Sequence, residues 1–188
     1  MGQQFEALMP KHVEFIEQQH LFFVGTAPLA VTGHVNLSPK GYDTLRVLSP
    51  TSVAYLDLTG SGNETSGHLD ENGRITFMFC AFEGAPLILR LYGTGRVGVK
   101  GSLLWDQYIE HFEMIPGARQ IVIAEIHKVQ TSCGFSIPFF NYGGEREKLK
   151  EWGMKKTEAN ILDDYQAEKN AYTLDGIETP IGKVMKER

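Results

Sequence analysis

The segment from Leu87 to Val99, LILRLYGTGRVGV, distinguishes a β fold from a dinucleotide-binding α/β fold. Its first half alternates leucines with other side chains, which is typical of a strand with one buried face. Its second half, Gly93-Thr94-Gly95-Arg96-Val97-Gly98, has the G-x-G-x-x-G spacing of dinucleotide-binding proteins. In those proteins a helix begins inside the glycine pattern. Here residues 96–99 look extended, and the first residue typical of a helix start is Ser102. We therefore predict one long strand with bulges, and a nicotinamide-binding Rossmann enzyme is the less favoured alternative.

Further strands surround this stretch, with Gly or Pro at most of their junctions. The candidates are Leu21–Thr26, Gly33–Leu37, Ser52–Leu58, Arg74–Phe82 and Arg119–Thr131. Short helices are predicted from Pro10, between Leu58 and Arg74, and over Ser102–Phe112, the last with Leu103, Leu104, Tyr108 and Ile109 facing inward. Because strands mostly follow strands, the sequence predicts a mainly β (α+β) fold, a six-stranded antiparallel split β-barrel with short helices.

Charge density divides the chain into two regimes. Of its 41 charged side chains, 19 lie in the last 44 residues. The first regime consists of β-branched and aromatic runs, and the second is rich in helix formers, as in Glu145–Trp152. This pattern predicts a barrel domain over 1–144 and a charged helical C-terminal extension over 145–188 that packs on the barrel.

Composition excludes several classes of function. The formal net charge of -5 gives no electrostatic footprint for nucleic acid. Cys80 and Cys133 form no C-x-x-C pair, so both are expected to be buried thiols in a reducing compartment. Leu21–Lys40 is too polar for a membrane span, and the N-terminus lacks the features of a secretory signal. We expect a cytoplasmic protein without a membrane or nucleic-acid partner.

The segment from Asp57 to Thr65 is the main candidate for chemistry, because a strand runs into a Gly-rich turn and then a helix capped by Asn63. Free amides and the helix dipole at such a start can hold an anion without a basic side chain, and Ser61 or Thr65 can add a hydroxyl. The alternative is an ordinary strand-to-helix turn with an Asn cap. Spacing alone does not separate the two.

Two basic side chains stand near strands. Lys40 follows the rigid turn at Pro39 and is either a cation that meets a phosphate or an anionic ring, or a solvated turn lysine. Arg90 lies in the middle of a strand and faces either solvent or a site at an interface. The six histidines have no metal-ligand spacing, and no G-x-S-x-G nucleophile motif occurs. No metal site and no catalytic side chain is predicted.

The order of four motifs resembles the pyridoxamine 5'-phosphate oxidase-like flavoproteins over roughly residues 5–132. The motifs are Asn36-Leu37-Ser38-Pro39-Lys40, Tyr55-Leu56-Asp57-Leu58-Thr59, Gly62-Asn63-Glu64-Thr65 and Leu89-Arg90-Leu91-Tyr92-Gly93. The segments Ser132–Pro138 and Lys169–Gly176 resemble the C-terminal signature of a branch of uncharacterised bacterial and fungal members. The resemblance implies an FMN-binding split barrel, a homodimer with a flavin in each of two interface clefts.

The resemblance also implies where the flavin ring would lie. Its wall would come from Val35, Leu37, Ser38, Leu58 and Thr59. Lys40 would reach toward the flavin or the substrate. Since the flavin itself carries hydride and electron transfer, few catalytic side chains are needed.

The phosphate-binding turn would be Asn63, Glu64 and Thr65. The family's oxidases have a basic pair where this chain has Glu64 and Thr65, and the Arg/His-rich C-terminal substrate motif is also missing. The backbone amides, Asn63, Thr65 and Arg90 are then left to hold the phosphate.

Two functions follow from this reading. The first is an FMN-dependent oxidoreductase that takes a small-molecule substrate or electron donor, and the second is a non-catalytic flavin- or haem-binding protein of the same fold. The sequence does not separate FMN from a deazaflavin. The apolar runs at residues 77–79 and 87–89 offer more hydrophobic surface than one small barrel encloses, which also favours a homodimer.

Overall fold

The computed structural model describes residues 2–187 of the 188-residue chain. Within them, eight strands form one sheet: β1 Gln4–Phe5, β2 Phe22–Thr26, β3 Asn36–Lys40, β4 Leu45–Ser49, β5 Ser52–Leu58, β6 Arg74–Cys80, β7 Ile88–Val99 and β8 Ala118–Ser132. The α-helices of the same range are α1 Pro10–Glu17, α2 Glu64–Asn72, α3 Leu103–Tyr108, α4 Lys148–Glu158, α5 Leu162–Lys169 and α6 Pro180–Lys186. A 3-10 turn over Ile109–His111 extends α3.

The sheet runs in the order β3-β2-β6-β7-β8-β5-β4, and β1 pairs with β8. Neighbouring strands are antiparallel throughout. The long strands β7 and β8 pair over most of their length, which joins the two halves of the barrel. The predicted class, a mainly β split barrel with helices, is therefore confirmed.

Apolar side chains from both halves of the sheet meet in one core. Tyr55, Phe77, Leu91 and Val122 have no exposed surface. The ring of Phe22 packs beside those of Tyr55 and Phe77, with centroids 5.7 and 6.4 Å away. Burial of these large side chains is the main force that closes the sheet.

The segment from Leu87 to Val99 contains β7, a strand between two antiparallel neighbours, β6 and β8. Its pairing with β8 shifts register between Tyr92 and Gly93, which is the predicted bulge. A Cβ at Gly93 would lie 2.4 Å from the carbonyl oxygen of Glu125, and one at Gly98 would lie 2.9 Å from the amide nitrogen of Trp105. The glycines therefore permit close packing, and the Rossmann alternative is wrong.

Several predicted details need correction. The strand count is eight in the described range rather than six, because two-residue β1 and the edge strand β4 were missed. In β4, Arg46 interrupts the alternation of apolar and polar residues, and its side chain pairs with Asp43, which precedes the strand. Strand β3 begins at Asn36 and continues to Lys40, beyond the predicted end. In α3, Leu103 is 89% exposed because Trp105 takes the buried position.

One expectation about burial is also wrong. Cys80 is buried as expected, but Cys133 is exposed because it lies where the chain leaves β8. In the runs cited for a homodimer surface, Phe77, Phe79 and Leu89 are at most 1% exposed, whereas Met78, Leu87 and Ile88 are half-buried. The homodimer stays a prediction.

The C-terminal extension is helical, as predicted, and α6 packs against α2 and β7. Ile181 is 2% exposed at this contact, and Lys183 forms an ion pair with Asp70 of α2. The division into two domains at residue 144 stays a prediction. In the described range, the helices are all too short or too polar to cross a bilayer.

Candidate functional site: a cleft between the barrel and the C-terminal extension

A cleft of about 480 Å³ opens where the barrel meets the C-terminal extension. Strand ends, the loop at residues 60–62 and the first residue of α2 form most of its surface, and Leu149 and Leu174 of the extension close one side. Four of the ten predicted binding residues line it: Ser38, Lys40, Leu58 and Glu64.

The floor of the cleft is a cluster of charged side chains around Asp57. The Lys40 ammonium lies 2.6 Å from Asp57 Oδ1, and Arg119 Nε lies 2.9 Å from Oδ2. Gln120 Nε2 donates a third hydrogen bond to Oδ2 at 2.8 Å. The Asp57 carboxylate is 1% exposed, so water does not screen these contacts.

The electrostatics keep Asp57 ionised. Burial by itself raises the pKa of this carboxyl, but the charges of Arg119 and Lys40 outweigh it and hold the pKa well below its usual value. Asp57 is therefore a fixed anion that orients two cations. It is not a proton donor or acceptor near neutral pH.

Strand register assembles this cluster. Asp57 pairs with Gln120 across β5 and β8, and an irregularity next to that pair sets Leu58 opposite Ala118, so that Arg119 lies beside Asp57. Lys40 is the last residue of β3 and approaches Asp57 from the other side. The three charges thus come from strand ends far apart in the sequence.

The turn predicted to bind phosphate uses its side chains inside the protein. Asn63 occupies the N-cap position of α2, but within the described residues its side chain makes no capping bond. Its Oδ1 accepts from Gln120 and its Nδ2 donates to the carbonyl oxygen of Asn170, so the predicted Asn cap is wrong. Thr65 Oγ1 accepts from Asn36 Nδ2 at 3.0 Å.

Glu64 is the charged residue on this turn, and its carboxylate folds back over Gly62. A Cβ on Gly62 would lie 2.5 Å from Glu64 Oε2. Glu64 Oε1 also accepts a hydrogen bond from the backbone amide of Leu174, at 3.2 Å. Glu64 therefore ties the extension to the first turn of α2.

The remaining predicted residues lie outside the cleft. The Thr59 hydroxyl is buried, donates to the carbonyl oxygen of Gly117 and accepts from Gln166. Arg90 lies on β7 and donates to Ser132 Oγ at 3.2 Å. The structure does not bring Arg90 to the cleft lining.

Leu37 lies on the outer side of the edge strand β3, and Val35, the residue just before the strand, lies on the same side. Val35 and Leu37 are 76% and 63% exposed, whereas Asn36, Ser38 and Lys40 alternate toward the protein. These two side chains form an exposed apolar strip on the side of β3 opposite to Ser38 and Lys40, and neither of them lines the cleft. A flat aromatic ring could pack against this strip.

Comparisons with known proteins show the family of this chain. The model of the family described as pyridoxamine 5'-phosphate oxidase matches residues 8–133. The chain belongs to this family. A pyridoxamine 5'-phosphate oxidase family protein of Aspergillus flavus, ustO, is 38% identical over 192 residues, which cover 92% of this chain and 76% of the relative.

Solved structures place the barrel in the fold of the pyridoxamine 5'-phosphate oxidase family. HupZ of Group A Streptococcus, as its H111A variant, has a TM-score of 0.52 at 19% identity, covering 66% of this chain and 98% of that one. A Lactobacillus delbrueckii protein described as a candidate pyridoxamine 5'-phosphate oxidase has a TM-score of 0.51 at 15% identity, covering 66% of this chain and 94% of that one. These likenesses concern the fold alone.

Sequence reasoning missed Arg119, which lines the cleft, and the buried Gln120, which donates a hydrogen bond to Asp57. A signal was present, since Arg119-Gln120 and Asp57 interrupt the apolar runs of two central strands. Within residues 2–187, no cluster of three or more His, Cys, Asp or Glu side chains could hold a metal ion.

Proposed function

We propose that this chain is an FMN-binding oxidoreductase of the pyridoxamine 5'-phosphate oxidase-like class. The observation that carries the proposal is the cleft, where Ser38, Lys40 and Leu58 meet the first turn of α2, with the apolar strip on the opposite side of β3. A flavin mononucleotide needs an apolar wall for its ring and donors for its anionic end. This set of side chains offers both, and membership of the family supports the same ligand.

A bound flavin would supply the electron and hydride transfer. The chain's own residues would bind and orient it. Val35 and Leu37 would form the wall for the ring, and Asp57 would hold the Lys40 ammonium at the far end of β3. The protein's contribution is therefore placement and charge.

The phosphate would meet the first turn of α2. A helix N-terminus offers backbone amides and the positive end of its dipole to an anion. Asn63 and Thr65 use their side chains elsewhere, so the amides would be the donors on this turn. Glu64 would have to turn its carboxylate away from Gly62 when the phosphate binds.

A homodimer is part of the proposal. Leu29, Val31, Val35 and Leu37 are between 63% and 103% exposed along the loop before β3 and on β3 itself. An exposed apolar edge strand is a surface that proteins usually cover. A second copy placed there would shield the strand and the open side of the flavin. Sedimentation that finds only a 21 kDa species at micromolar concentration would contradict this dimer.

The direct test is to release the ligand from purified protein and identify it by absorbance and mass. We expect FMN, and a deazaflavin would correct the cofactor but not the class. Turnover of a reduced nicotinamide with an electron acceptor then tests catalysis. Protein that neither carries nor takes up a flavin would overturn the proposal.

A non-catalytic flavin- or haem-binding protein is the second candidate. The observation that favours it is the state of Asp57, whose carboxylate is paired with two cations that hold its pKa well below the usual value. Bound flavin without turnover of any tested donor and acceptor would favour this candidate.

A further inference from the structure

A second cavity, of about 560 Å³, adjoins the candidate cleft. It lies between the loop at residues 60–61 and the helices α4 and α5 of the extension, and we call it the side groove. Gly60, Ser61 and Leu149 line both cavities, so they form a shared wall. A ligand longer than a flavin mononucleotide could therefore occupy the cleft and the side groove together.

The side groove has an aromatic wall on the extension. Trp152 of α4 and Tyr165 of α5 line it, and their ring centroids lie 4.9 Å apart with an angle of 72° between the planes. Both side chains are half-buried, so packing holds them while part of each remains exposed. Aromatic side chains of this kind stack on any nucleic-acid base, because every base has a flat π-face.

Cations outnumber anions in the lining of the side groove. Lys148 and Lys155 of α4 line it and are exposed, whereas Glu151 is the carboxylate among the lining residues. In the described part of the chain, neither lysine forms an ion pair with a carboxylate. The Lys156 ammonium lies 5.9 and 5.6 Å from the two aromatic centroids and adds to the positive charge. This charge favours an anionic ligand.

The side groove suits a ligand that has a flat heterocycle and phosphate groups. The rings provide a stacking surface for the heterocycle, and lysine ammonium groups bind phosphate oxygens as point charges. A bare phosphate would leave the rings without a partner, and a neutral heterocycle would leave the lysines without one. A nucleotide contains both features.

The shared loop provides a path between the two cavities. The flavin phosphate of the proposed function meets the first turn of α2, which begins at Glu64, and the loop at residues 60–61 comes just before that turn. A Cβ on Gly60 would have no atom within 4 Å, so the space above the loop is open. A pyrophosphate that crosses this loop would lead from the cleft to Lys148 and Lys155.

We propose that the side groove binds the adenosine diphosphate group of a dinucleotide whose redox ring lies in the cleft. This group occurs in a reduced nicotinamide dinucleotide, which would be the electron donor, and in FAD, which would replace FMN. The inference deepens the proposed function and rests on it for the ring in the cleft. The affinity of the side groove for adenosine diphosphate does not depend on a flavin.

The first test measures nucleotide binding without turnover. ADP, adenosine and pyrophosphate are titrated by calorimetry into protein with and without bound FMN. The variants are Lys148→Gln/Lys155→Gln and the control Lys11→Gln/Lys128→Gln, which changes two exposed lysines outside the side groove. We expect ADP to bind more tightly than adenosine or pyrophosphate, with about fivefold or greater loss in Lys148→Gln/Lys155→Gln alone. No ADP binding by wild type, or equal losses in the two variants, would overturn the inference.

Hydrogen exchange then locates the bound ADP. The side groove joins the barrel loop to α4 and α5, so ADP should slow exchange in these two helices. Slower exchange confined to other elements would place the nucleotide elsewhere and contradict the assignment.

Substitution of Trp152 tests the aromatic wall. Trp152→Leu should weaken ADP and adenosine binding about tenfold and leave pyrophosphate binding unchanged. Trp152→Phe keeps a ring and should restore most of the lost affinity. Thermal unfolding is recorded for both variants, because Trp152 is half-buried. If folded Trp152→Phe binds ADP no better than folded Trp152→Leu, base stacking is contradicted.

A final test identifies the dinucleotide. Affinities for FMN and FAD, and KM values for NADH and reduced nicotinamide mononucleotide, are compared between wild type and Lys148→Gln/Lys155→Gln. An FAD advantage over FMN that the variant loses would assign the side groove to FAD. A KM that rises for NADH alone would assign it to the electron donor. If neither comparison changes, the dinucleotide assignment is overturned. Wild type that takes up neither flavin would overturn the proposed function, while the ADP titration still decides whether the side groove binds a nucleotide.

Discussion

Different forces hold the barrel together and hold the C-terminal extension against it. In the barrel, paired strands enclose side chains such as Phe77 and Leu91 that have no exposed surface. The extension docks largely through polar contacts, such as Asn170 Nδ2 to the carbonyl oxygen of Gly60 at 3.0 Å. A fully buried large apolar side chain contributes about 1.5–3 kcal/mol, whereas a typical hydrogen bond contributes about 1 kcal/mol. The extension can therefore loosen locally while the barrel stays folded.

This difference matters for the cleft, because both regions form its walls. The floor at Asp57 and Arg119 belongs to the barrel, whereas Leu149 and Leu174 belong to the extension. Changes in the barrel should reduce global stability. Changes at the polar docking contacts should alter the cleft and the motion of the extension first.

The largest expected effect is in the barrel core. Phe77→Ala removes a fully buried ring that packs beside Phe22 and Tyr55, and should lower the free energy of unfolding by about 4 kcal/mol. Urea denaturation followed by circular dichroism measures this change. Leu103→Ala is the control, since Leu103 is 89% exposed and its loss should change stability by no more than about 0.5 kcal/mol. Similar effects of the two substitutions would contradict the account of the core.

The next effect comes from the polar cluster inside the barrel. Asp57→Asn leaves Lys40 and Arg119 without their anion and should destabilise the fold by about 3 kcal/mol at pH 7. The folded-state pKa of Asp57 is depressed, so its contribution is present above the unfolded pKa of about 3.9 and is lost as pH falls below it. Urea denaturation at pH 7, 5 and 3 should therefore show a smaller acid loss in Asp57→Asn than in wild type. A larger acid loss in the variant would refute this role.

The same contrast explains how much of the fold the sequence predicts. Barrel strands with clear apolar patterns are predicted closely, and β5 is predicted residue for residue as Ser52–Leu58. Strand β4 escapes because Leu45–Ser49 is short and contains Arg46, whose partner Asp43 precedes the strand. The alternation of apolar and polar residues predicts buried strands well. It predicts short edge strands poorly, because few of their residues alternate.

A medium effect is expected at the base of the extension. Asn170 is fully buried, and its Nδ2 donates to Gly60 beside the cleft. Asn170→Ala should cost about 1–2 kcal/mol of docking free energy, because the carbonyl oxygen of Gly60 loses its donor. Hydrogen exchange should rise in α5 and α6, while exchange in β7 and β8 stays near wild type. Asn141→Ala, on an exposed loop, is the matched control. An equal rise in β7 would mean that the extension does not loosen independently.

The candidate site shows where prediction from sequence ends. Lys40 was identified as a strand-end cation, but the predicted turn at Pro39 is wrong, because Pro39 pairs with Phe23 inside β3. The orientation of Asn63 was not identified, because Gln120 and Asn170, distant in sequence, turn its side chain inward. Arg119 was missed for the same reason, since its role depends on the register of β5 against β8. Long-range polar contacts leave little trace in a local pattern.

The smallest effect is expected where the extension meets the loop before β3. Asp175 accepts the backbone amide of His34 at 2.7 Å, and its other oxygen lies 2.6 Å from His34 Nδ1, which therefore carries a proton. Hydrogen bonds from the His34 backbone and then from its side chain lower the pKa of Asp175. This contact between Asp175 and His34, which we call the latch, should thus hold above about pH 4 and weaken as pH falls further.

Hydrogen exchange at residues 30–36 and 170–177 tests this latch. Asp175→Asn should raise exchange in both segments at pH 7, because an amide offers one acceptor oxygen where the carboxylate offers two. His34→Gln should have less effect, since the backbone amide that donates to Asp175 remains. The urea midpoint should not change, because the His34 side chain is 70% exposed and a pair in water adds little to stability. A shift of the midpoint as large as that of Asn170→Ala would show that this contact, too, belongs to the forces that hold the barrel.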